Sequence, residues 1–358
     1  MKYRLKSREL TSILINLIVV KMLFTYPRYI VERCLNGAWL SVTIYLVVTL
    51  GIFWLTQLLY LKTGKLSILS QAEVIGGKVF RIITGLFVIT LLMLNIAPMV
   101  RAFPEAIKTA LLQNTPMLII VAILAIGVAF GASMGIEALG RTASVFIPIA
   151  GTFIALFYVL LLPHYEVTNI FPFSIKDVVI RGASSMSVFA DIFVLSLLLQ
   201  YTDNINTVKK SGFTALCLGG VTGILIVLAY CFVYQYPVSA RFIVPMYQLT
   251  RLVKIGTYFQ RLEAIFEFVW SISILIYTSI YLFIMCDTFK QSFGLRHHKP
   301  FVFPLLIILL RLVFWEESYT EALRSNYVNS AVIYPILYIL PLLYGILYIT
   351  KTKRSEKR

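Results

Sequence analysis

Seven stretches of the chain run about 20 residues or more without a charged side chain, the length an apolar helix needs to cross the roughly 30 Å hydrocarbon core of a bilayer. They are residues 38–61, 82–100, 109–136, 142–163, 211–240, 268–286 and 325–350. Three more windows reach that scale if one charge is allowed inside: 10–27 with Lys21, 182–202 with Asp191 and 300–315 with Arg311. The pattern predicts an all-α integral membrane protein with ten transmembrane helices. Apolar residues run all round these segments, as lipid-facing helices require.

Composition closes the alternatives. Hydrophobic residues make up 59% of the chain and charged ones 13%, about half the roughly 25% of a globular domain. A soluble fold has too little charge here to cover its surface. An aromatic content of 14% argues against disorder. Lysine and arginine total 32 against 16 acids, a net charge of +16. In a membrane protein that excess belongs in loops beside anionic lipid head groups, so the bilayer is the expected partner and nucleic acid is not. Cys34, Cys217, Cys231 and Cys286 show no CxxC spacing and read as small hydrophobes. No HExxH, P-loop or dinucleotide-binding glycine pattern is present. The expectation is a protein that is not an enzyme and uses neither metal nor cofactor.

The chain reads as one transmembrane domain over residues 1–350, with repeats of about 8–163 and 175–350 and a basic cytoplasmic tail at 351–358. The basic start and first apolar stretch lack a small-residue cleavage pattern and read as the first span, not a removed signal. With both termini placed inside, 19 basic residues fall in inside loops and tails and 11 outside. The positive-inside rule therefore predicts both termini in the cytoplasm.

Ten spans divide into five and five, and the first span of each half is interrupted. The first carries Lys21 and then Phe24-Thr25-Tyr26-Pro27, where proline kinks or ends a helix. The sixth carries Gly182-Ala183-Ser184-Ser185 ahead of Asp191. Breaks at matching positions of two halves point to a transporter-type binding site. Unwound backbone there exposes N–H and C=O groups, and helix half-ends add partial charge. Lys21 lies near mid-membrane, where insertion costs about 2.5–3.5 kcal/mol. It pairs with Asp191, binds a ligand carboxylate, replaces a coupling cation, or snorkels to the surface.

Other features carry plainer readings. Glu137 and Arg141 are spaced for a surface helix pair. Gly131/Gly135 and Gly219/Gly223 are spaced for helix packing. Arg311 is a gate residue or a bundle contact. Asn95, beside Pro98, faces a cavity or bonds a neighbouring helix. Tyr277, Thr278 and Tyr281 need hydroxyl partners in a dry span.

Several motifs, in their order along the chain, resemble one family. Pro27 and Ala38-Trp39-Leu40 resemble the end of its first helix and start of its second. Gly135-Ile136-Glu137, Arg141 and Ile147-Pro148 resemble its fifth-helix start. Asn169-Ile170-Phe171-Pro172 resembles its Asn-x-x-Pro. Arg261-Leu262-Glu263 with Trp270 resembles its eighth-helix opening. The family is the spore-germination permeases, integral-membrane B subunits of nutrient germinant receptors within the amino acid–polyamine–organocation superfamily. The resemblance implies a 5+5 inverted repeat of the leucine-transporter type with broken first and sixth helices. It implies a mid-membrane pocket between those breaks, walled by the third and eighth helices. Carried onto this chain, the ligand-binding residues are Lys21, Phe24, Thr25, Asn95, Ser184, Ser185, Asp191 and Tyr277. It implies a receptor subunit in the inner membrane of a spore that binds a small nutrient such as an amino acid and triggers germination. Its partners would be an A-type membrane subunit and a C-type lipoprotein. The alternative is a proton-coupled amino acid transporter working by alternating access. Many relatives have small residues, often Gly-Ser, where this chain has Val20-Lys21, which puts sodium coupling in doubt.

Overall fold

The computed structural model describes residues 4–356 apart from 65, 243, 254–261 and 316–318. Of the sequence features above, Arg261 and the last two residues of the basic tail, 357–358, lie outside the described residues. Fourteen α-helices follow in chain order: α1 Ser7–Met22, α2 Tyr26–Cys34, α3 Ala38–Thr63, α4 Ile68–Ala110, α5 Met117–Met134, α6 Ile136–Leu161, α7 Ile175–Ile180, α8 Met186–Phe189, α9 Val194–Leu198, α10 Ile205–Val233, α11 Pro245–Thr250, α12 Leu262–Phe293, α13 Val302–Val313 and α14 Tyr319–Glu356. They make ten passes: α1 with α2 is the first, α7 through α9 the sixth, and α11 a short helix between the seventh and eighth. Among the described residues, eight of the passes hold a helical run, the composite sixth included, that is long and apolar enough to cross a membrane. The exceptions are α1, which stops at its break after 16 residues, and α13 with 12. Side chains such as Leu118, Ile126 and Phe303 are about 70% exposed and form the lipid-facing surface.

The first pass is the core of the bundle. Nearly every residue from Leu10 to Phe24 is buried, because α1 packs against α10, α6 and α12. The seventh pass reaches it through small residues. A Cβ at Gly223 would stand 1.7 Å from the Met22 sulfur, and one at Gly219 would stand 3.1 Å from Ile18. That contact seats the residue next to Lys21. A similar close approach brings Gly182 of the sixth pass against Ser41 of α3.

Four local features differ from the sequence reading. Pro27 opens α2 instead of ending α1. Its missing N–H is one that the first helical turn leaves unpaired anyway. Gly135 does not pack against a neighbouring helix: with φ of 88° it is the single-residue hinge between α5 and α6, a backbone region that glycine enters without strain. Arg101 and Lys108, placed in a loop by their charge, belong to α4, which runs on for 43 residues. Arg101 is buried and bonded to Glu105 one turn on at 3.2 Å. Arg311 is neither gate nor bundle contact: it is exposed and lies over the Trp315 ring at 5.2 Å. Glu137 and Arg141 form the expected exposed pair at 2.6 Å.

The sixth pass is not one helix with one gap. Its α-helical pieces alternate with 3₁₀ turns at Arg181–Ser185, Ala190–Phe193 and Leu199–Tyr201. The backbone is wound tighter there, not unwound. At the end of the bundle holding the N-terminus, the Leu5 N–H donates to the Tyr201 carbonyl at 2.7 Å, and Arg4 pairs with Asp203 at 2.9 Å. Among the described residues this bridge is the only strand-like pairing.

Candidate functional site

The break in the first pass leaves Lys21 in the last turn of α1, with Leu23–Thr25 as a turn before α2. Lys21 extends its ammonium across the gap to the sixth pass. Nζ donates to Asp191 Oδ1 at 2.8 Å and to Asn95 Oδ1 at 3.1 Å, and sits 5.2 Å from the centre of the Tyr334 ring. Asn95, from the middle of α4, donates through Nδ2 to Asp191 Oδ1 at 2.9 Å and to the Tyr281 hydroxyl at 2.8 Å. Tyr281, from α12, donates to the same Asp191 oxygen at 2.5 Å. Five passes thus meet on one cluster: the first, third, sixth, eighth and tenth.

Its electrostatics are specific. Lys21 is 9% exposed, Asp191 1% and Asn95 4%. Two opposite charges at 2.8 Å in a dry core offset each other's desolvation only because further donors complete the geometry. Oδ1 of Asp191 takes three donors, while its Oδ2 is buried with no partner. The hydroxyl of Tyr277, whose ring packs 4.9 Å from that of Tyr281, is buried beside Tyr281 and Asp191. Native interiors rarely leave a buried carboxylate oxygen unpaired, so the cluster retains bonding capacity.

Phe24 closes one side. Its ring stacks on Trp270 at 4.6 Å and 12°, and Phe103 lies 5.2 Å from the same indole. Phe24 and Trp270 are each 1% exposed.

The remaining sequence candidates stand elsewhere. Thr25 is half-buried at the N-cap of α2 and its side chain makes no capping bond. Ser185 shares a 2.7 Å hydrogen bond with Ser41 of α3, and its carbonyl accepts from Tyr26 at 3.3 Å, so it ties the two breaks together without reaching Lys21. Ser184 donates to the Arg181 carbonyl at 2.9 Å and lines a cavity on the α14 side whose wall includes Tyr334 of the cluster.

Sequence reasoning did not single out Tyr334, which has no signal beyond its recurrence with Tyr338 four residues later, on one helical face. It also passed over Asp287, which accepts from Tyr201 at 2.8 Å, Gln200 at 2.8 Å and Gln291 at 2.7 Å, and pairs with Lys290. Residues 131–135 read Gly-Ala-Ser-Met-Gly, the spacing of a hydrolase nucleophile turn. Here they end a helix, and Ser133 donates to the Phe130 carbonyl at 2.7 Å. The strand-to-helix elbow that this chemistry requires is missing.

Comparison with known proteins agrees with this architecture. Two mutants of the Eremococcus coleocola manganese transporter, seen in crystal structures, align over 95% of this chain and 76% of their own. The TM-scores are 0.55 and 0.56 at 14% identity, a likeness of fold alone. The fold is that of leucine-transporter-like permeases, with broken first and sixth helices. Spore germination protein KB of Bacillus subtilis (strain 168) is 24% identical over 99% of this chain and 97% of its own. The putative spore germination protein YfkT of the same strain is 24% identical over 74% of each. A family model described as spore germination protein matches residues 4–321. That match takes in nine of the ten passes and every residue of the Lys21 cluster except Tyr334, and the chain therefore belongs to the spore germination permease family.

Proposed function

We propose that this permease binds a small zwitterionic nutrient, an amino acid, at the Lys21–Asp191 cluster and passes occupancy on as a germination signal. The observation that carries the reading is the half-used Asp191 carboxylate, held in place by three donors on Oδ1 while Oδ2 is buried and unpartnered. A zwitterion suits this ion pair. Its ammonium meets Asp191 and its carboxylate meets Lys21, so each buried charge exchanges one partner for another and no net charge is added to the core. The broken helix ends beside the cluster supply backbone groups for the rest of the ligand. Insertion between Lys21 and Asp191 separates the first pass from the sixth, and that displacement is the signal. On this reading the protein sits in the spore inner membrane with both termini cytoplasmic. It works with an A-type membrane subunit and a C-type lipoprotein as the B subunit of a germinant receptor.

The test pairs two assays. Germination of a strain deleted for the gene is scored against a panel of amino acids, with the wild-type gene or Asp191→Asn returned. In parallel, purified protein in proteoliposomes is given labelled amino acids. The reading expects the response to one or a few amino acids to be lost on deletion and not restored by Asp191→Asn. Uptake driven by a proton gradient, with germination unaffected by deletion, replaces it with the transporter reading.

A further inference from the structure

One face of α12 is buried along most of its length. Glu267, Trp270, Ile274, Tyr277 and Tyr281 lie on it at three- and four-residue spacing. Tyr281 stands at the Lys21 cluster. Further on, Asp287 accepts from Tyr201, the residue whose carbonyl holds Leu5 beside the N-terminus. Glu267 is therefore at the opposite end of the bundle, about 21 Å along the helix from Tyr281 at 1.5 Å per residue.

Glu267 is 0% exposed, and among the described residues neither of its carboxylate oxygens has a hydrogen-bond partner. The buried Asp191 and Asp287 are each held by a lysine and a tyrosine. The charges on the elements around Glu267 are engaged elsewhere. On α4, Arg101 pairs with Glu105 at 3.2 Å and Lys108 is exposed. After α11, Arg251 lies over the Tyr247 ring at 5.8 Å. On α1, Lys21 is bound by Asp191 at 2.8 Å. α5 has no ionisable side chain, and the last three turns of α6 offer only Tyr158, an uncharged phenol. Glu263, one turn earlier on α12, is a like charge.

An ionised carboxylate does not persist in a dry core without a donor or a counter-charge. A metal ion would need several ligands, and among the described residues no three His, Cys, Asp or Glu side chains stand together to supply them. A proton needs neither added room nor a second charge.

Water has one evident way in. Trp270, one turn from Glu267, stacks on Phe24 at 4.6 Å and lies 5.2 Å from Phe103. Its indole Nε1 is also buried without a partner. Phe24 belongs to the break in the first pass, so movement of that break unstacks the indole and wets the turn that carries Glu267.

We propose that Glu267 is a proton-binding site, a neutral carboxylic acid while the Phe24–Trp270 layer is closed and a carboxylate once water enters. On opening, the carboxyl O–H bond breaks and the proton passes to water; on closing, water returns it. The closed form holds one proton more than the open form, so a rise in pH on that face favours opening. In the orientation proposed above, that face is external. Glu267 takes this role whatever the Lys21 cluster binds.

Infrared spectra of the full-length protein in proteoliposomes at neutral pH, in water and in heavy water, read the carboxyl directly. Wild type is expected to show the C=O stretch of a protonated carboxyl that is absent from Glu267→Gln. That variant copies the neutral acid and is expected to accumulate to the wild-type level on membrane immunoblots. Phe24→Ala opens the layer, or Phe103→Ala from the α4 side where the first fails to accumulate. In the opened variant the band is expected to be lost at neutral pH and to return on acidification. Identical spectra of wild type and Glu267→Gln overturn the proposal. So does a large fall in the level of Glu267→Gln, which reveals an ionised Glu267 held by a cation. A band that persists at neutral pH in the opened variant separates the proton from the aromatic layer and overturns it too.

Discussion

Asp191 and Asp287 are both buried, and each is bound by a lysine and a tyrosine, yet they are built for opposite purposes. Asp287 is saturated. Both of its oxygens are taken, and its lysine comes from the next turn of the same helix. The Lys290 side chain remains 21% exposed and in reach of water. Asp191 is tied to a lysine 170 residues away, on another pass, and one of its oxygens is idle. The first arrangement holds the end of the sixth pass to α12 whatever else happens. The second joins two broken passes, and on the proposed reading it is the contact that a ligand replaces. A satisfied buried carboxylate fixes structure, whereas one with spare capacity is where the proposed function puts the ligand.

The strongest way to break this contrast is to remove one charge of the pair between passes. Lys21→Met alone or Asp191→Asn alone leaves its partner uncompensated in a dry core, a cost of about 3–5 kcal/mol. Each single variant should lose accumulated protein on membrane immunoblots, and the double variant should recover it without recovering the ligand response. Normal level and response in Lys21→Met would show that its ammonium is dispensable. Next in size is Asp287→Asn, where Lys290 can turn to water, so the loss is about 1–3 kcal/mol. A lower thermal midpoint is expected with the nutrient dose response unmoved, and a shifted response would erase the distinction drawn here. Smaller again is Thr25→Trp, which crowds the first break on an otherwise intact cluster. The protein should accumulate while the dose response is blocked; Ser184→Trp, which faces the α14-side cavity, should affect the response less. An equal effect of the two would extend the nutrient site into that cavity. The last test concerns sidedness and perturbs nothing: a cysteine replacing Val167 should react with an impermeant reagent from outside and one replacing Lys353 should not.

Much of this was legible in the sequence, for a physical reason. A charge inside an otherwise apolar span is costly, so Lys21 and Asp191 stood out by themselves, and Asn95 by its polarity beside a proline. Tyr281 and Tyr334 did not, because tyrosine is common in apolar helices and its hydroxyl declares no partner until the fold is known. Asp287 was hidden by position. It follows Cys286 where a charge-free window ends, and a charge there reads as a loop residue although α12 continues to Phe293. The same confusion put Arg101 in a loop, since windows of apolar residues mark the bilayer and not the end of the helix. The α14-side cavity had no sequence signature, because it lies between elements that only the tertiary arrangement holds apart.

The alternation along the sixth pass has a mechanical meaning. Its 3₁₀ stretches hold five, four and three residues. A residue rises about 2.0 Å in a 3₁₀ turn and about 1.5 Å in an α-helix. If all of these turns relaxed to α geometry, the pass would shorten by roughly 6 Å, about one helical turn. Slack of that size sits in a segment pinned at one end by Asp287 and the Leu5 pairing and at its middle by Lys21. With the middle pin released, that shortening would draw the Arg181 end of the sixth pass toward its anchor at Asp287.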